Sequence, residues 1–176
     1  MVQQKIRIGV SSCLLGERVR YNGGHKLDQL ITGTLAGFFE LVPVCPEVEC
    51  GLPVPREPMH LVGDPARPRL VTVQSGVDLT EQMETYSQRR VAELAAESLS
   101  GFVFKKGSPS SGLHGVKVHG EGKRWRSGRG LFAAAVVKGF PLLPVEEEER
   151  LANPRLRENF LERVLVYHHW QELLAG

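Results

Sequence analysis

The stretch "KIRIGVSSCLLG", residues 5–16, decides the fold. Its first half is a short apolar run that ends in Val10 and is stopped by Ser11 and Ser12. That is how a buried strand reads. Residues 24–40 follow, with Leu27, Leu30, Ile31, Leu35, Phe38 and Phe39 at helical spacing. "LVPV", 41–44, is a second short apolar run, in which Pro43 restricts pairing. Strand, helix and strand in this order form a βαβ unit, so the two strands are expected to be parallel.

The same alternation continues downstream. Residues 51–71 hold five of the eleven prolines and read as an excursion, either structured or a mobile flap, at about 51–69. Residues 70–76 fit a strand. Residues 78–99 predict a helix, with Asp78 and Glu81 in capping-box positions and Met83, Tyr86, Val91, Leu94 and Leu99 as its apolar side. "GFVFKK", 101–106, reads as a strand, 128–140 as a helix closed by Gly139, and 141–145 as a last short strand. Asn153 and Pro154 open a long terminal helix over 153–174. The expected architecture is an α/β, three-layer Rossmann-like fold, with a mainly parallel sheet, helices on both faces and a C-terminal helix. Residues 1–145 would form the α/β domain, and 146–176 a helical extension packed on it.

Composition is ordinary for a soluble chain. Of 176 residues, 41% are hydrophobic and 24% charged, with a net charge of +2. No apolar run approaches the roughly 20 residues of a membrane span. The N-terminal apolar run is too short, and too soon broken by Ser11 and Ser12, for a signal peptide. A cytoplasmic protein, monomeric or weakly dimeric, is the expectation. Cys13, Cys45 and Cys50 are an odd number, which argues against a disulfide framework.

Ligands of open parallel sheets bind beyond the carboxyl ends of the strands. Three strands end in polar or sulfur-bearing loops: "SSCLLG" with Cys13, "CPEVECG" with Cys45, Glu47 and Cys50, and "GSPSSG" after "GFVFKK". If the strands are neighbours, thiols, a carboxylate and hydroxyls meet on one rim. Thiols in such a place suit soft metals. The close Cys pairs of structural zinc sites are absent, and none of the six histidines sits in a spacing that commits it as a base.

The stretches "IGVSSCLLGERVRYNGGHK", "LVPVCPEVECGLPVPRE", "DLTEQM", "KKGSPSSG", "GRGLFAAAV" and "FPLLPVEEEERLANPRLRENFLERV" resemble the bacterial thiouracil desulfidase family over nearly the whole chain. The resemblance implies [4Fe-4S]-dependent, non-redox desulfuration of thiolated pyrimidines (2- or 4-thiouracil, thiouridine) to uracil or uridine and sulfide. It implies a cluster held by three cysteines with one iron open to the substrate's sulfur. The first two ligand positions match Cys13 and Cys45. The third matches Ser111, where this chain reads "SPSSG". Cys50 falls where relatives carry apolar or small residues. An alcohol is a harder donor than a thiol, so the cluster is expected to be weakly held or absent. An engineered exchange, Cys50 as substitute ligand and a natural cluster-free variant all remain open, and the intact state of every other motif favours the first.

By the same resemblance Glu47, beside Cys45, is the catalytic carboxylate, with Ser108 and Ser110 as hydrogen-bonding or proton-shuttling hydroxyls. Ser12, Arg20, Tyr21 and Lys105 are candidates for the substrate side. Lys123, Arg124, Arg126 and Arg129 surround Trp125 in 122–130, a basic loop that could contact tRNA. In long members of the family the equivalent of the last helix leads into a second domain. Two other classes stay in play: a zinc hydrolase using Cys13, Cys45 and Cys50, and a non-enzymatic RNA-binding α/β module.

Overall fold

The computed structural model describes residues 5–176. Strand β1, Ile6–Ser11, pairs in parallel with β2, Phe39–Val44, on one side and with β5, Gly101–Phe104, on the other. β8, Val145–Glu147, extends the sheet in parallel beyond β5. The order is β2-β1-β5-β8, so the expected parallel sheet is present. Pro43 lies on β2, an edge strand, which is where a residue without an N–H is tolerated.

Alternation along the strands sorts the core into two layers. Ile8, Val10 and Val103 face one side with Ile31, Leu35, Phe160 and Val164. Phe102 and Phe104 face the other, with Val42, Val44, Leu94, Phe132 and Val136. On the first side lie a π-helical turn, Leu30–Leu35, running into α1, Ala36–Phe38, and the terminal helix α6, Pro154–Ala175. On the second lie α3, Thr80–Ala96, and α4, Leu131–Gly139. This is the three-layer arrangement expected. No helix of the described residues is long and apolar enough to cross a membrane.

A second sheet, of order β4-β3-β6-β7, was not foreseen. The Pro-rich excursion is no flap: after a loop it forms β3, Met59–Asp64, and β4, Arg67–Thr72, an antiparallel hairpin. β6, Val116–Gly120, and β7, Lys123–Gly128, form a second hairpin. The basic stretch expected as a loop is therefore largely a strand, with Lys123, Arg124 and Arg126 exposed on it. The signals were present: "VKV" alternates, and "GEGK" supplies a Gly-containing turn.

Several boundaries differ from expectation. The first helix does not span 24–40, because Thr32, Gly33, Thr34 and Gly37 are weak helix formers and Phe39 is buried on β2 instead. Asp78 does not cap α3 as part of a box. Leu79 holds the cap position, while Asp78 accepts from the Thr80 amide at 2.9 Å and pairs with Arg69 at 3.1 Å. The helix read at 128–140 starts at Leu131, and the last strand lies at 145–147 rather than 141–145. Asn153 does cap α6, its Oδ1 accepting from the amides of Arg155 and Leu156.

Gly9 shows how tightly the sheet's second face is filled. A Cβ there would lie 2.3 Å from Cδ2 and 2.4 Å from Cε2 of Phe102, whose ring is stacked on Phe104 at 4.3 Å. Gly9→Ala is expected to destabilise the fold by about 1–3 kcal/mol, the usual cost of overpacking. Denaturant unfolding of the two proteins measures it; an unchanged midpoint would show that the ring can step aside.

Candidate functional site

The parallel sheet sets the place of the site. β1, β2 and β5 are adjacent and point the same way, so their carboxyl ends share one rim. A cleft of about 350 Å³ opens there, within the size range of small-molecule sites. β1 delivers Ser12 and Cys13 on a 3₁₀ turn, Ser12–Leu15. β2 delivers Cys45 and, on the short helix α2, Pro46–Glu49, the carboxylate of Glu47. The loop after β5 delivers Lys105, Ser108, Ser110 and Ser111. Arg20 and Tyr21 line the mouth, with the Arg20 guanidinium 5.5 Å from the Tyr21 ring centre. All of the residues singled out for the cluster and the pyrimidine thus meet in one cleft, except Cys50; the basic residues around Trp125 lie outside it.

Cys50 sits at the far end of α2. Its Sγ donates to the Glu47 carbonyl at 3.2 Å, and its side chain packs against the core and beside Gln82 and Tyr86, outside the cleft. The three cysteines do not gather, so the zinc site built from Cys13, Cys45 and Cys50 has no geometric basis. None of the chain's histidines lines the cleft, which removes a Cys–His pair from consideration.

Glu47 is held on both oxygens. Its Oε2 accepts from Arg56 Nε at 2.8 Å and also from Arg56 Nη2. Its Oε1 accepts the Ser110 hydroxyl at 2.8 Å. The side chains of Glu47 and Arg56 are only 12% and 6% exposed. Ser108 Oγ accepts from the amides of Ser110 and Ser111 at 3.3 and 3.1 Å. Its own proton is then free for Ser110 Oγ, 3.0 Å away. The hydrogen bonds run in one direction, Ser108 to Ser110 to Glu47.

Arg56 also donates to the carbonyls of Val19 and Pro53, at 2.8 and 3.2 Å. One guanidinium joins the Glu47 carboxylate, the loop after β1 and the Pro-rich loop. Its signal in the sequence is its place as a lone cation among prolines in "VPREP". Ser11 and Glu148 were missed. Ser11 Oγ accepts the Lys105 amide at 3.0 Å, and Glu148 pairs with Lys105 Nζ at 2.5 Å. They fix the start of the loop that follows β5.

Burial pushes both cleft thiols up from their ordinary range. Cys13 is raised by desolvation, against the opposing pull of Lys105 and Arg20. Cys45 is raised by desolvation to about 11. Without a metal, both are neutral thiols at physiological pH.

Residues 8–148 match a family described as 2-thiouracil desulfurase. The chain belongs to the 2-thiouracil desulfurase family. A relative in Bacillus subtilis (strain 168), the uncharacterized protein YbbK, is 32% identical over 126 residues, covering 64% of this chain and 83% of its own. The solved structure of a [4Fe-4S]-dependent thiouracil desulfidase, TudS, is 30% identical and superposes with a TM-score of 0.66 over 89% of this chain and 97% of that one. The fold described above is therefore the fold of that desulfidase.

The cluster carried by that relative tests the donor set. Iron–sulfur clusters are held by thiolates. This cleft offers the thiols of Cys13 and Cys45 and the hydroxyl of Ser111. Among the described residues, no group of three or more His, Cys, Asp or Glu is placed to hold a metal ion. The donors present do not fit a three-thiolate cluster.

Two outcomes follow from the geometry. Arg56→Ala strands a buried carboxylate and is expected to cost about 3–5 kcal/mol in denaturant unfolding. Glu47→Gln should cost less, because Arg56 keeps two carbonyl partners. In the metal-free protein, iodoacetamide is expected to modify Cys45 slowly at pH 8 and steadily faster towards pH 11. Peptide mass spectrometry reads this out; rapid labelling at pH 8 would contradict the buried neutral thiol.

Proposed function

We propose that the cleft binds a thiolated pyrimidine, such as 2- or 4-thiouracil or thiouridine, and that the site is built for its non-redox desulfuration. The observation that carries this reading is the meeting of Cys13, Cys45 and the Ser108–Ser110–Glu47 chain in one cleft, at the rim where open parallel sheets bind their ligands. The overall change replaces C=S by C=O. Water supplies the oxygen, one C–O bond forms, the C–S bond breaks, and the sulfur leaves as sulfide with the two protons. No electrons are exchanged.

Glu47 is the group that takes the proton from water. Its Oε2 is committed to Arg56, which keeps the carboxylate oriented. Its Oε1 accepts the Ser110 hydroxyl, so a proton taken up at Ser108 can be relayed through Ser110 to the carboxylate. Ser108 and Ser110 are the shuttle. Arg20 and Tyr21 at the mouth, Ser12 on the floor and Lys105 beside the loop contact the substrate. Ser12 suits this role: it is buried, it lines the cleft, and its hydroxyl has no hydrogen-bond partner among the described residues. The exposed cations and Trp125 of β7 would engage RNA if the substrate were thiouridine within a tRNA.

The reading is tested by titrating thiouracil into the unaltered protein, and by sulfide release from the unaltered and the anaerobically reconstituted Ser111→Cys proteins. Binding to both and faster sulfide release by the variant are expected. In the variant, Glu47→Gln should lower release by about 10²–10⁴-fold, the usual worth of a general base. Absence of both binding and sulfide in every form sinks the proposal. Release from the free base but not from thiouridine in tRNA would leave the β7 cations without a part in it.

A further inference from the structure

We infer that Ser111 is not a ligand in any state of this protein: the cleft is a cluster site short by one thiol, held rigidly in the shape that thiol would need. The inference takes only the identity of the missing group from the desulfidase reading.

Ser111 lines the cleft beside the two thiols and is 4% exposed. Its hydroxyl has no hydrogen-bond partner among the described residues, although its amide is bonded to Ser108 Oγ at 3.1 Å. Its oxygen opens into the cleft rather than being sealed in the core, so it is available to whatever the cleft holds.

The backbone cannot move to compensate. Oxygen reaches less far than sulfur, since its bonds to carbon and to metals are both shorter (for zinc, about 2.0–2.2 Å against about 2.3 Å). From the same backbone position a serine oxygen therefore reaches less far into the cleft than a cysteine sulfur would. The loop that carries it is pinned from behind. Gly112 N donates to Ser108 O, and Gly130 N to Gly112 O, both at 2.7 Å. Ser110 O accepts from the amides of Phe132 and Ala133 in the first turn of α4, at 2.9 and 3.2 Å. Packing adds to the hydrogen bonds, for a Cβ on Gly130 would lie 2.4 Å from the Ser110 carbonyl carbon. Advancing position 111 breaks this set of bonds. Hardness works in the same direction, because an alcohol is a poor match for iron in a sulfide cluster.

Cys50 cannot make up the deficit, since it lies outside the cleft with its thiol turned to the Glu47 carbonyl. The same rigidity makes repair simple. A cysteine at 111 would start from the same Cα and add reach and softness.

The test uses anaerobic reconstitution with iron and sulfide, then desalting, iron and sulfide analysis and a visible spectrum. Four folded proteins are compared: unaltered, Ser111→Cys, Ser111→Ala and Cys50→Ala, with thermal melts of the metal-free forms as the folding control. Ser111→Cys is expected to retain at least about tenfold more iron than the unaltered chain, since loss of even an outer-shell partner changes metal affinity about 10–100-fold. Ser111→Ala and Cys50→Ala should match the unaltered chain. Equal iron in the unaltered and Ser111→Cys proteins overturns the inference. So does a fall in Ser111→Ala, which would make the serine oxygen a ligand, or a fall in Cys50→Ala, which would make Cys50 one. A folded Ser111→Cys protein that still fails to hold iron also overturns it. None of these readouts involves a thiopyrimidine, so the desulfidase reading can fail or stand separately.

Discussion

The parallel pairing of β1 on both of its edges is the constraint on which the remaining structure depends. A strand paired in parallel on each side sends its neighbours' carboxyl ends to the same rim as its own. Three loops far apart in sequence therefore open side by side, and their side chains share one volume. The pairing is itself set by close packing. Gly9 leaves room for the Phe102 ring, and Gly101 lets Phe160 and Val164 of the last helix approach the opposite face. The two contacts hold β1 and β5 in register between two dry layers.

Within the rim, organisation passes from hydrophobic packing to charge. Arg56 is buried, and its partners come from α2, the loop after β1 and the Pro-rich loop. A buried cation of this kind is weak evidence of net stability. Its effect is to specify geometry, because a carboxylate bonded on one oxygen by a rigid guanidinium fork can present the other in only one direction. Glu57 does comparable work nearby, accepting from Ser75 and Gln74 and tying the Pro-rich loop to the turn after β4.

The parallel sheet and the membership of its rim were legible because short apolar runs stopped by Ser, Cys or Gly are local signals. So was the start of α6, where the cap and the proline are adjacent in sequence. The second sheet was harder. Its strands are short, and β7 is almost wholly exposed and cationic, so charge outweighed alternation in the reading. The first helix misled for the opposite reason: helical spacing continues through Phe38 and Phe39, but burial of Phe39 on β2 wins over propensity. Among site residues, those carried by a motif were found. Arg56, Ser11 and Glu148 act through contacts across 9 to 94 positions of sequence, and no local pattern marks such contacts.

The clamp between the 108–112 loop and the entrance of α4 also makes position 111 an interchangeable socket. Its backbone is fixed by bonds that do not involve its side chain. The identity of that one side chain can therefore vary while the surrounding frame stays constant. Thiol, imidazole, carboxylate or selenol groups placed there would all start from the same point in the cleft that Cys13 and Cys45 also line. The fold thus offers a fixed frame in which the chemistry of a cleft becomes a single-residue variable.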